Sequence, residues 1–402
     1  MGVTGDQTTR RRPGDGRSGQ INFLYTNIGR GHPFYLDGII GCLPSERVGD
    51  VTDVFAGTTG LARGLWVGAR LIYRSVGGGG PYSSLYNRLR QRNDYDRHGP
   101  LQRLMGRPLR RTYSDRPDPL VTAHPVLVAI LEGTRGLIYQ HGEVTAPVES
   151  WVHGRHRVLV PLSSTADRFI AAGIPERNLF VSGLCIESAL VEAAEGAFEG
   201  RLARLAGGDP LCGAFFTSGA EPREHVKRLV SAVLSAACAG GRALVFARGN
   251  GRFAARLRAR LEKSGRDFAS VRSIAELRGA ESEVLLCLYE NRRGLDAFTA
   301  RLFERFDYFV APSHERTNWA LGLGLPMFIV DPPLGSYAPL NRELLLAASV
   351  ARALEERRDA SRFGSRVGEL HAAGELTRMA EAGWGRFEIR GFCNIAEFLQ
   401  TL

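Results

Sequence analysis

Short apolar runs alternate with helix-length amphipathic segments along most of the chain. In the first half Ile21–Thr26, Val51–Phe55, Pro119–Ala123, Gly136–Tyr139, Arg157–Pro161 and Leu179–Val181 read as strands. In the second half Cys212–Thr217, Ala243–Ala247, Glu283–Leu288, Tyr308–Ala311 and Met327–Val330 do the same. Helices are predicted from Pro33, over Ser164–Ala172, from about Pro222, and in the amphipathic stretch Asn341–Leu402. Each half opens with a strand, a glycine turn and a helix: Gly29-Arg30-Gly31-His32 in the first, Ser218-Gly219-Ala220 in the second. This is the pattern of an α/β protein with two Rossmann-like, doubly wound domains facing a cleft. The expected divisions are a disordered polar tail over 1–19, a first domain over 20–186, an Ala/Glu/Arg-rich connection over 187–208, and a second domain over 209–402.

The stretch Phe309–Asn341 carries the densest chemistry. The strand Tyr308–Ala311 ends in the polar turn Ser313-His314-Glu315-Arg316-Thr317-Asn318; a helix follows, closed by Gly324-Leu325-Pro326, then the strand Met327–Val330. Polar groups at the carboxyl end of a parallel strand stand where open α/β sheets bind ligands.

Composition narrows the possibilities. At 402 residues and 44% hydrophobic, the chain suffices for two cores. No apolar stretch reaches the roughly 18–20 residues that span a bilayer. The N-terminal MGVTGDQTTRRRPGDGRSGQ has basic residues without a following apolar segment, unlike a secretory signal. The six cysteines form no close pair in sequence, so reduced thiols in a cytoplasmic protein are expected, and no metal site. Net charge is +10, and residues 61–116 hold twelve Arg against three Asp. Such a patch suits an anionic surface. With Trp66, Arg70, Tyr73, Leu85, Tyr86, Arg88 and Arg90 interleaved, it is expected to lie on anionic lipid headgroups or to remain a solvated arginine surface. No helix-turn-helix, RRM or zinc pattern accompanies the charge, so nucleic acid is not an expected partner.

These landmarks resemble the GT-B glycosyltransferases, in particular the group of the peptidoglycan UDP-N-acetylglucosamine transferase and the galactolipid and diacylglycerol glucosyltransferases. The resemblance covers roughly residues 20–350 through several short motifs in order. Gly29–His32 resembles that group's first glycine loop, Pro117–Pro125 its strand with a terminal His-Pro, and Gly173–Asn178 with Val181-Ser182-Gly183 the end of its first domain. Ser218-Gly219-Ala220 is similar to its second glycine loop, and Pro339-Leu340-Asn341 to its final donor-side asparagine. One position departs. The group's ribose-gripping glutamate stands five residues before the Gly-x-Pro glycine; counting back from Gly324 reaches Trp319. Either Glu315 or Asn318 substitutes, or the nucleoside is held differently, or the usual donor is no longer used.

The resemblance implies an inverting transfer from a nucleotide-sugar, a UDP-sugar first, to a lipid or lipid-linked hydroxyl at the inner membrane face. It implies no cofactor and no metal. His32, at the first glycine loop, is the first candidate for general base; Glu143 is its rival. Gly31 belongs to the same loop, and His124 and His141 are placed on the acceptor side. Ser218, Gly219 and Ala220 would let the backbone approach a diphosphate, with Arg248 and Asn250 beside them. His314, Glu315, Thr317, Asn318 and Asn341 form the expected donor side, Thr317 and Asn318 alternatively capping the next helix. An epimerase or hydrolase on the same fold, or a non-catalytic binder, is the alternative.

Overall fold

The computed structural model describes residues 19–26, 31–76 and 99–402, and of residues 31, 32 and 72–76 the backbone alone. Residues 1–18 of the expected tail over 1–19, the turn at 27–30 and the segment 77–98 lie outside the described residues. So do the side chains of His32 and Tyr73, and Arg88 and Arg90 entirely.

Among the described residues, thirteen strands form two parallel sheets. The first runs β2-β1-β3-β4-β5-β6, from β1 (Ile21–Tyr25), β2 (Val48–Asp53), β3 (Leu120–Thr122), β4 (Leu137–Gln140), β5 (Arg157–Val160) and β6 (Leu179–Val181). The second runs β13-β12-β11-β7-β8-β10-β9, from β7 (Cys212–Phe216), β8 (Arg242–Arg248), β9 (Phe268–Val271), β10 (Val284–Tyr289), β11 (Tyr308–Ala311), β12 (Met327–Val330) and β13 (Ala351–Leu354). In the first sheet the order reverses between β1 and β3, and in the second between β7 and β11, the positions at which such sheets open a crevice beyond their carboxyl ends.

The central strands are buried on both faces, which is why they appear as unbroken apolar runs. The two strands the hydrophobic pattern does not predict, β9 and β13, lie at opposite edges of the second sheet. Their sequences, Phe-Ala-Ser-Val and Ala-Arg-Ala-Leu, are short, alanine-containing and each interrupted by one polar residue, which the partial burial of an edge strand tolerates.

The helices used below are α1 (Gly31–Cys42), α2 (Gly60–Val76), α3 (Pro100–Tyr113), α4 (Ala194–Ala206), α5 (Arg223–Cys238), α6 (Arg252–Ser264), α7 (Arg292–Leu302), α8 (Thr317–Gly322), α9 (Tyr337–Ala347) and α10 (Gly391–Gln400). Helix α4, in the Ala/Glu/Arg-rich segment, packs on the second sheet. Its Phe198 stacks on Trp384 at 4.4 Å between ring centroids. Its Arg201 is fully buried and donates to the carbonyls of Phe306 (2.9 Å), Leu323 (3.0 Å) and Gly324 (2.9 Å). Gly324 is obligatory there: its φ is +55°, and a Cβ would stand 2.7 Å from the Phe198 ring and 2.8 Å from the Ala380 carbonyl.

The chain crosses between the sheets twice, and the crossings are joined. Leu184 N–H donates to Glu388 O (2.7 Å), Gly391 N–H donates to Leu184 O (3.0 Å), and Cys185 bridges Arg390 in antiparallel fashion. After the return crossing α10 lies on α1. Phe392, Ile395, Ala396 and Leu399 complete the apolar cluster of Ile21, Phe23, Phe34, Tyr35 and Ile39.

Candidate functional site

The segments that follow β10, β11 and β12 meet the first half of the chain, and several side chains join across the junction. After β7, Ser218-Gly219-Ala220 makes an exposed turn ahead of α5, with Glu221 N–H returning to Ser218 O at 3.2 Å. Glu221 adopts φ +46°, and its carboxylate accepts the N–H groups of Arg252 (2.5 Å) and Phe253 (3.3 Å) at the start of α6. The β7 turn is thereby tied to the β8 turn Arg248–Gly251, whose Arg248 and Asn250 side chains are exposed. Glu221 is a framing residue that the sequence reading does not assign. Its signal is the acid that follows a thin glycine loop. The small residues of the β7 turn stand just ahead of the N-terminus of α5.

After β11 the expected donor residues separate into two sets. Thr317 closes the turn by donating to His314 O, and Asn318 donates to Cys185 O (2.9 Å) in the first crossing segment. Both are committed to structure. His314 and Glu315 instead stand toward the junction. Burial lowers the His314 pKa below the ordinary imidazole value, partly offset by Glu315. Trp319 is buried among Phe216 (5.5 Å) and Phe309 (5.8 Å), and its indole N–H donates to Glu187 Oε2 at 3.0 Å. The Arg316 guanidinium covers Phe216 at 4.3 Å and Trp319 at 5.1 Å. Position 319 is thus a core position sealed by an arginine.

The first domain contributes the loop after β4. The ring of Tyr35, on α1, packs so tightly on Gly142 that a Cβ there would lie 2.1 Å from it. This contact sets the backbone that presents Glu143. Asn341, fully buried on α9, reaches across the junction: its Nδ2 donates to Glu143 Oε2 (3.2 Å) and Ser313 O (3.1 Å), while its Oδ1 accepts from the Thr145 hydroxyl (2.6 Å). The expected donor-side asparagine is therefore an interdomain clasp, its amide already engaged. Other contacts that span the junction are the Ser336 hydroxyl with the Glu149 carboxylate, Arg292 of α7 over the Phe34 ring at 4.2 Å, and the His141 ring tilted against that of Tyr337 at 6.0 Å.

The Glu143 carboxyl holds its proton more tightly than an ordinary glutamate. Burial first, then the nearby Glu315 carboxylate, raise its pKa to about 7, partly offset by the Asn341 amide and the Tyr35 phenol. Glu143 and Glu315 thus lie close enough at the junction for one carboxylate to raise the proton affinity of the other.

The described members of the expected acceptor-side set, Trp66, Arg70, His124 and His141, are held in separate structural contacts. Trp66 is 1% exposed inside the first core, so it cannot rest on a membrane. Ala62 and Trp66, four apart on α2, face inward, while Leu61 and Leu71 are exposed. Arg70 lies over Phe55 at 4.3 Å. His124 Nδ1 accepts from Val126 N–H (3.2 Å), capping a short helix, and His141 is buried with Nδ1 near Tyr139 Oη (3.2 Å) and Nε2 near Thr145 O (3.0 Å). Both histidines have structural contacts. Among the described residues no cluster of His, Cys, Asp or Glu is arranged to hold a metal ion.

No family model matches the chain, and no curated protein matches its sequence. Solved structures do match it in shape. The S. aureus MnaA–UDP co-structure aligns with a TM-score of 0.54 at 9% identity, over 95% of this chain and 97% of that one. A putative UDP-N-acetylglucosamine 2-epimerase from Listeria monocytogenes gives 0.53 at 10% identity, over 94% of each. MurG of Acinetobacter baumannii gives 0.46 at 11% identity, over 95% and 100%. At these identities a match speaks for architecture, and with the two sheets described above the architecture is the GT-B fold: two Rossmann-like domains facing a shared cleft.

Proposed function

We propose that the chain is an inverting glycosyltransferase that moves a sugar from a nucleotide-sugar, UDP-linked, to a hydroxyl of a lipid or lipid-linked acceptor, without a metal. The observation that carries this reading is Glu143, enclosed between the domains with a pKa of about 7 and held by Asn341. In its ionised form Glu143 takes the proton of the acceptor hydroxyl. The acceptor oxygen then bonds to the anomeric carbon as the bond from that carbon to the phosphate oxygen breaks. The leaving diphosphate is received by the Ser218-Gly219-Ala220 turn, the first turn of α5 and Arg248, which neutralise the departing charge. Closure of the two domains around Asn341 keeps water from the donor. The UDP bound in the MnaA co-structure supports a uridine nucleotide as the donor's carrier.

A thermal-shift series with UDP, GDP, TDP, CDP and ADP, without metal, tests the donor half. UDP at a hundredfold excess over its dissociation constant is expected to add about 2.7 kcal/mol of stability. A flat response to all five would remove the nucleotide-sugar reading. An epimerase or hydrolase is the second reading, favoured by the Glu143–Glu315 pair and by the likeness in fold to the putative 2-epimerase of Listeria monocytogenes. Incubation with UDP-sugar alone separates the two. Epimer or free sugar formed without acceptor belongs to the second; product formed with acceptor only belongs to the first.

For the acceptor half, the exposed face of α2 and α3 fits a peripheral contact with the inner face of a membrane. Leu61 (68% exposed), Leu71 (60%) and Leu101 (55%) stand beside Arg103, Arg107 and Arg111, which recur every fourth residue on the exposed side of α3. Among the described residues no helix is long and apolar enough to cross a membrane. The protein is expected to co-sediment with phosphatidylglycerol-containing vesicles at low salt and to be released by high salt. The double variant Leu61→Asp/Leu71→Asp should lose that binding. Equal binding by wild type and variant would dismiss this surface.

A further inference from the structure

At the end of α1 the Cys42 sulfur lies 2.6 Å from that of Cys393, in the first turn of α10, although 351 positions separate them. This is closer than two unbonded thiols rest. The Cys42 sulfur also lies 3.4 Å from the Ser188 hydroxyl, immediately after the first crossing. The two sulfurs therefore sit where the first helix, the outgoing crossing and the returning helix meet. Both residues are half-buried, so a small oxidant can reach them, whereas Cys185, Cys212 and Cys287 are enclosed. The neighbouring packing fixes the approach: Phe392, adjacent to Cys393, sits edge-on to Phe34 at 5.4 Å, and Asn394 donates to Ser182 O at 2.8 Å. No backbone movement is needed to bring the two side chains together.

We propose that Cys42 and Cys393 are a redox modification site, forming a reversible disulfide that staples the returning C-terminal helix to the first domain. The co-reactant is a low-molecular-weight disulfide of the glutathione class. One protein thiolate attacks it, giving a mixed disulfide and releasing one small thiolate. The second cysteine then attacks the protein sulfur of that mixed disulfide and releases the other. The two protons lost by the cysteines end on the two small thiols, so two protein thiols and one small disulfide become one protein disulfide and two small thiols. Cys42 is held as a thiol at neutral pH, because burial and then the adjacent Cys393 push its pKa up to about 11. Closure is accordingly expected to be slow at pH 7 and faster at pH 9. A reducing compartment keeps the pair open, and an oxidising shift closes it. This inference does not depend on the reaction the protein catalyses.

The test uses the full chain, treated natively with oxidised glutathione and then denatured for maleimide counting and peptide mapping. Two free thiols should be lost beyond any capped by glutathione at the exposed Cys238, with a Cys42–Cys393 linked peptide, faster migration on a non-reducing gel, and recovery of six after dithiothreitol. Cys238 aside, Cys42→Ser and Cys393→Ser should each keep their remaining thiols or carry a single glutathione, without the mobility change. Retention of six thiols, glutathione on both cysteines without a cross-link, or a cross-link through any other cysteine would overturn the proposal.

Discussion

Replacing Glu143 by glutamine is expected to abolish most turnover and, in the same molecule, to stabilise the fold at alkaline pH. The first effect follows from removing the group that takes the acceptor proton, a loss of about 10²–10⁴-fold. The second follows from linkage. Glu143 titrates at about 7 in the folded chain against 4.5 for an ordinary glutamate. Its folded pKa is raised, so its contribution is most favourable below pH 4.5, where both states are protonated, and is lost as pH rises toward 7. Above 7 both states are ionised, and the folded state carries a penalty of about 3 kcal/mol. Glutamine removes the charge but keeps an oxygen to accept from Asn341. Thermal unfolding of wild type and Glu143→Gln between pH 4.5 and 8.5 should therefore diverge with rising pH, the variant being the more stable. Wild-type turnover should rise through pH 7 as the base ionises. A stability gap with turnover intact would leave Glu143 a buried carboxylate and take it out of the mechanism; no gap at any pH would show that the carboxyl is not enclosed.

The largest stability loss is expected from Arg201→Ala. This side chain carries no ion pair of its own. It is desolvated enough that its pKa falls to about 9, so it remains charged at neutral pH, and three backbone carbonyls share the charge. Truncation leaves those carbonyls buried without a donor and opens a cavity beside Phe303, a combination worth about 3–5 kcal/mol. Arg201→Met fills the space but supplies no donor, so it should recover only the cavity part. Two of the three carbonyls belong to Leu323 and Gly324, at the end of the segment that carries His314 and Glu315. Weakened nucleotide binding should therefore accompany the instability. Denaturant melts of the two variants decide the matter, and an alanine variant within 1 kcal/mol of wild type would contradict it.

The strands and their parallel pairing were legible because doubly covered strands must be apolar throughout, and the glycine turns marked where each half begins. The edge strands β9 and β13 escaped because the partial burial of an edge lets a polar residue into each. For the site, short motifs pointed to candidate loops but not to the partners those loops meet. Asn341 and Glu143 are 198 positions apart and meet only because two sheets face each other, which no local pattern encodes. The Trp319 anomaly was visible in the spacing, whereas its partner Glu187 belongs to a distant crossing segment. Trp66 was misplaced for a related reason: an arginine-rich, amphipathic helix shows its charged face in the composition, while the position of its one tryptophan depends on which stripe faces the core.

The paired crossings also decide how this molecule can be divided. A single nick in the outgoing segment would not release the halves, since the returning strand and α10 remain hydrogen-bonded and packed on the first domain. A fragment ending near residue 190 would lack α10 and expose the apolar surface around Phe34 and Ile39, favouring aggregation. Supplied separately, a fragment covering the remainder of the chain carries the missing helix and so would serve as its complement. The pair should behave as a split protein that reassembles through its last ten-residue helix.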